Sequence, residues 1–99
     1  MTNRTPLTPA EITDALADLP GWSSEGDALQ KTFHFKDYLA GVAFASAVGV
    51  ISEGLDHHPD LLIGWRKVTV RYNTHDAGGK ITAVDVRLAT AVEALPFKG

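Results

Sequence analysis

Apolar residues recur along this chain at two spacings, about 3.6 residues and two, and the switches between them divide it into seven elements. Leu7, Ile12, Leu16 and Leu19 carry the first helical stretch. Thr8 precedes Pro9 and is followed three residues on by Glu11, the signature of a capping box with proline at the first helical position. Leu7 and Ile12 have the spacing of a hydrophobic staple, and Pro20-Gly21 predicts the stop. Two short strands follow, at residues 22–24 and 28–35, around the turn-forming Glu25-Gly26-Asp27. Phe33 and Phe35 flank His34, so the strand period predicts buried aromatics and a solvent-facing histidine.

A second helix is predicted from its N-cap at Asp37 to Glu53, with Gly54 as its exit. From Tyr38 to Ser52 it holds no charged side chain, and a helix apolar all round is expected to be buried all round. Its apolar run of about 15 residues is shorter than the 18 or more of a membrane span. Gly41, Ala43, Ala45, Ala47 and Gly49 allow close approach, so one face is expected to cover a sheet and another to meet a second subunit. Residues 60–65 and 67–74 form a second strand pair, with Val68, Val70 and Tyr72 on one face of the latter. After a loop at residues 76–79, a third helix starts at Thr82. Asp85 sits in the capping-box position, Ile81 and Val86 form a staple, and Val84, Leu88, Val92 and Leu95 make an apolar stripe. The order α-β-β-α-β-β-α predicts an α+β fold: a four-stranded antiparallel sheet with three helices packed on one face.

Composition narrows the function classes. Ninety-nine residues make a single domain, spanning 1–99. A net charge of −3 argues against nucleic acid as partner, since no basic excess exists to neutralise phosphates. Cysteine is absent, which excludes disulfides, thiol catalysis and thiolate zinc sites. The first eight residues contain no long apolar run of the signal-peptide kind, so the expected location is cytoplasmic, with no membrane association.

His57, His58 and His75 are the informative side chains. His57 and His58 follow a helix end and precede Pro59, which pushes His58 towards extended geometry. Pairing Trp65 with Val68, Ile63 with Val70 and Leu61 with Tyr72 puts one apolar face on the hairpin, and extending that register sets His75 opposite His58. Convergence of the three rings admits three readings: unrelated surface histidines, a three-histidine metal site completed by Glu53 or Asp56, or acid–base catalysis. The adjacency of His57 and His58 weighs against metal, because neighbouring rings struggle to aim at one ion.

The run Glu53-Gly54-Leu55-Asp56-His57-His58-Pro59 resembles the pterin-4a-carbinolamine dehydratases. So do Trp65, Val68 and Val70, Thr74-His75, Gly79 and Thr82 with Asp85. Upstream, Leu19-Pro20-Gly21-Trp22 and Phe33, Phe35 and Asp37-Tyr38 fit the same family. The resemblance implies association into dimers or tetramers and catalysis with no metal and no cofactor. It implies loss of water from a 4a-hydroxytetrahydropterin to give quinonoid dihydropterin, which is recycled for aromatic amino acid hydroxylases. His57, His58 and His75 match the family's catalytic histidines. Glu53, Asp56, Asp85 and Trp22 match residues at the substrate pocket, although Glu53, Asp85 and Trp22 also have a plain structural use as helix end, cap and core. Some relatives act instead as protein-interaction partners, stabilising a transcription-factor dimer or assisting assembly of a carbon-fixing enzyme. Leu61 and Ile63 stand where the family usually has an aromatic and an asparagine, and Trp65 replaces its usual tyrosine.

Overall fold

The computed structural model describes residues 4–96 and contains the predicted elements in the predicted order. Helix α1 spans Pro9–Leu16, strands β1 and β2 span Ser23–Glu25 and Ala28–His34, and helix α2 spans Tyr38–Glu53. Strands β3 (Asp60–Gly64) and β4 (Lys67–Tyr72) follow, then a single 3-10 turn at His75–Ala77 and helix α3 at Ala83–Glu93. The strands form one sheet in the order β1-β2-β4-β3, with every neighbouring pair antiparallel.

The helix starts follow from their caps. Thr8 and Glu11 form a reciprocal capping box on α1, Thr82 and Asp85 form another on α3, and the Asp37 carboxylate accepts from the Ala40 N–H at 2.8 Å. Leu29, Phe33, Val68, Val70 and Tyr72 line one face of the sheet and are buried against Phe44, Ala45 and Val48 of α2 and Val84, Leu88, Ala89 and Val92 of α3. Phe44 anchors this layer, with its ring 4.7 Å from that of Phe33 and 5.1 Å from that of Phe35. Gly41 lets α2 settle on the sheet, since a Cβ there would lie 3.3 Å from the Val68 Cγ2. The opposite face carries Gln30, Thr32, His34, Thr69 and Arg71, none of them buried. His34 is exposed, as its strand position predicts.

Two expectations need correction. Gly64 pairs with Lys67, Ile63 with Val68 and Leu61 with Val70, so the β3–β4 hairpin is two residues out from the pairing inferred above. Parity survives, because a shift of two keeps every side chain on its face. The offset comes from a turn at Trp65-Arg66 in which Arg66 adopts φ 63°. That conformation is held by the Phe35 N–H, which donates to the Arg66 carbonyl at 2.9 Å. Trp65, placed in the turn, is 74% exposed. Helix α2 is also not buried all round: Gly41, Phe44, Ala45, Val48 and Ser52 face the core, while Leu39 and Val50 are 73% and 72% exposed. Among the described residues, no helix is long and apolar enough to cross a membrane.

Candidate active site

The end of α2 is built to aim His57 inwards. The His57 N–H returns to the Ser52 carbonyl at 3.1 Å and the Asp56 N–H to the Glu53 carbonyl at 2.9 Å. This nested pair is a Schellman motif. Its left-handed position is normally glycine, yet here it is Asp56, at φ 51°, while Gly54 is ordinarily helical. The reversal turns His57 under the helix and leaves His58 outside, before Pro59 leads into β3.

From the other side, β4 runs past its last paired residue, Tyr72, to Asn73, Thr74 and His75. Thr74 bridges to Lys80 through its N–H at 2.9 Å, and the chain doubles back through Gly78 and Gly79, both at positive φ, to the start of α3. The residues 76–79 expected to be loop are therefore partly a 3-10 turn that begins at His75. A cleft of about 140 Å³ lies between the two segments, lined by Arg4, Asp56, His57, His58, Asn73, His75 and Asp76. All three histidines reach it. They do so although the β3–β4 ladder stops at Asp60–Arg71, so His75 is not paired with His58 as the inferred register had it.

The three rings differ in surroundings. His57 is 3% exposed, and its Nε2 lies 2.6 Å from the Oδ1 of Asp85, a fully buried carboxylate. The other Asp85 oxygen accepts from the Thr74 hydroxyl at 2.9 Å and the Thr82 N–H at 2.8 Å. Because the Thr74 proton is committed to Asp85, the Thr82 hydroxyl donates in the 2.7 Å Thr82–Thr74 contact. Asp85 is thus saturated with donors, as a buried carboxylate requires. A carboxylate accepts only, so Nε2 of His57 carries a proton and Nδ1 faces the cleft.

His58 and Glu53 are both exposed and meet at 3.0 Å, which gives the acid at the negative end of α2 its partner. His75 is exposed, with no side-chain hydrogen bond among the described residues.

Tyr72 braces the buried ring from below, stacked on His57 at 6.1 Å between centroids. The Ser52 hydroxyl donates to the Val48 carbonyl at 2.7 Å, so the Tyr72 hydroxyl donates in its own 2.7 Å contact with Ser52. Burial pushes the Tyr72 phenol up to about 12, and the nearby Asp85 charge adds to the shift.

The three histidines do not form a metal-ligand set. Among the described residues, the donor atoms close enough to share an ion belong to Glu53, Asp56 and His58, within 4.8 Å of one another and all exposed. Of the other residues singled out by sequence, Asp56 lines the cleft, Glu53 reaches it through His58, and Asp85 stands behind His57. Trp22 does not line it. That side chain is buried, stacked on Tyr72 at 6.2 Å, and its indole N–H donates to Glu93 at 3.0 Å. Arg4, Asn73 and Asp76 were not singled out. Nothing in a polar N-terminal segment marks Arg4, whereas Asn73 and Asp76 flank the Thr74-His75 pair and adjacency alone would have suggested them.

Comparison with known proteins agrees with this architecture. Residues 5–95 match the family described as pterin 4 alpha carbinolamine dehydratase. A provisionally named pterin-4-alpha-carbinolamine dehydratase from Thermosynechococcus vestitus is 48% identical, covering 90% of this chain and 93% of its own. A similarly named protein from Natronomonas pharaonis is 51% identical over 90% of this chain and 94% of its own. The crystal structure of a transcriptional coactivator/pterin dehydratase from Brucella melitensis superposes with a TM-score of 0.86 at 30% identity, covering 96% of this chain and all of that one. With its sequence matched almost end to end and its α+β fold shared, the chain belongs to the pterin-4-alpha-carbinolamine dehydratase family.

Proposed function

We propose that this chain removes water from a 4a-hydroxytetrahydropterin, giving the quinonoid dihydropterin in cytoplasmic tetrahydropterin recycling. The observation that carries the reading is the gathering of three imidazoles on one cleft, one of them buried and backed by a carboxylate. The reaction breaks the C4a–O bond and the N5–H bond and forms a C4a=N5 double bond. One group must protonate the departing hydroxyl and another must take the N5 proton. His57 is the base, acting through the Nδ1 that its Asp85 contact leaves towards the cleft. His75, exposed and unengaged, is the acid. His58, held by Glu53, binds the ring system, and Asp56 offers a carboxylate to its amino-pyrimidine edge. Proton transfer by side chains suffices for this chemistry, so no cofactor is invoked.

The test is stopped-flow decay of the carbinolamine with and without the protein. His57→Ala and His75→Ala are each expected to lower kcat by roughly 10²–10⁴-fold. Near-normal turnover in both variants would overturn the assignment.

A second reading is a protein-interaction module of the same fold. The coactivator name carried by the Brucella structure and the apolar exposed strip on α2 favour it. A chain that only bound a partner would show no effect on carbinolamine decay.

A further inference from the structure

Arg4 reaches the cleft from an arm with its own anchorage. Pro6 bridges to Thr82 and the Leu7 N–H donates to the Ile81 carbonyl at 2.9 Å, so the arm is tied to the start of α3 beside the buried Asp85. The guanidinium then makes three contacts. Nη2 donates to the Leu55 carbonyl at 3.2 Å, Nη1 lies 3.8 Å from the Asp76 carboxylate, and Nη1 lies 3.5 Å from His57 Nδ1. A guanidinium has donors and no acceptor, so this last contact suits a His57 Nδ1 that carries a lone pair and no proton. The cleft wall thus presents an acceptor and a donor side by side, His57 Nδ1 and Arg4 Nη1.

A reduced pterin presents the complementary pair. Its N5–H donor and its 4-oxo acceptor lie on the same edge of the fused rings, separated only by C4a and C4. We infer that Arg4 is a substrate-binding residue that, together with His57, reads the N5–H and 4-oxo edge of the pterin. The inference rests on the dehydratase reading and deepens it. Arg4 contributes the donor for the 4-oxo group, and His57 receives N5–H, the proton lost in the reaction. The hydrogen bond to Leu55, with the Asp76 charge nearby, keeps the guanidinium at the cleft when the substrate takes over its 3.5 Å contact with His57. Arg4 lies one position before the residues 5–95 that the family match covers.

The experiment is anaerobic isothermal titration of the whole chain with tetrahydropterin, which has N5–H and the 4-oxo group but no 4a-hydroxyl, and with its 4-amino counterpart. The 4-amino group replaces the acceptor by a donor. The unmodified protein is expected to prefer the 4-oxo compound by roughly tenfold. Arg4→Ala is expected to lose most of that preference and Arg4→Lys to keep part of it, with melting temperatures unchanged. An undiminished preference in Arg4→Ala would overturn the role of Arg4 while leaving the dehydratase reading intact. If neither compound bound the unmodified protein, the dehydratase reading would fall and the inference with it.

Discussion

At the scale of single residues, the site depends on where protons sit. Asp85, Thr74, Thr82, Ser52 and Tyr72 each have an unambiguous donor or acceptor role, because each chain of hydroxyls ends on a group that can only accept. Tyr72 gives this order a measurable consequence. Its phenol titrates near 10 in an unfolded chain and near 12 here, so the folded state holds the proton more tightly. That contribution, about 2–3 kcal/mol, is fully present below pH 10 and is lost as pH rises from 10 through 12. Denaturant melts followed by circular dichroism should show stability falling across that window in the native protein. The fall should be shallower in Tyr72→Phe, which has no phenol to ionise. Equal slopes would remove burial of this hydroxyl from the account.

At the scale of elements, the end of α2 shows conformational strain placed beside chemistry. A left-handed conformation costs an L-residue roughly 1–2 kcal/mol, and glycine would return roughly 0.5–1 of that through the freedom it loses on folding. Asp56→Gly is therefore expected to be more stable by roughly 0–1.5 kcal/mol after this offset, yet to bind the pterin more weakly because the cleft loses a carboxylate. A variant that gained stability and lost nothing in turnover would make Asp56 a historical accident. The caps at Thr8, Asp37 and Thr82 were legible in sequence because capping is a local matter of side chain and neighbouring N–H. The hairpin offset was not. Apolar alternation constrains parity alone, and the offset depends on Arg66 accepting a positive φ that no glycine or asparagine advertises. The histidines were legible by their chemistry. Arg4 and Tyr72 were not, because their relation to His57 exists only once three separate segments have packed.

At the scale of the whole molecule, part of the exposed surface is apolar and lies outside the cleft lining. Leu39 and Val50 stand out on the free side of α2, and Leu62, Ile63 and Trp65 along the β3 edge and its turn. A self-associated form that covers the α2 strip is the arrangement this surface fits. Light scattering at micromolar concentration is expected to return at least twice the chain mass. Leu39→Glu with Val50→Glu should reduce it towards a monomer while leaving the internally packed cleft able to bind pterin. A monomeric mass for the unmodified protein would refute self-association.

Asp85 opens α3 and also holds the buried His57 ring at 2.6 Å, so one carboxylate serves the helix start and the cleft at once. On the proposed mechanism, fraying of that single helical turn would silence turnover well before the sheet came apart. Turnover is then the more sensitive gauge of local order in this fold, and a lineage that abandoned the reaction would still have to keep the acid that once served it.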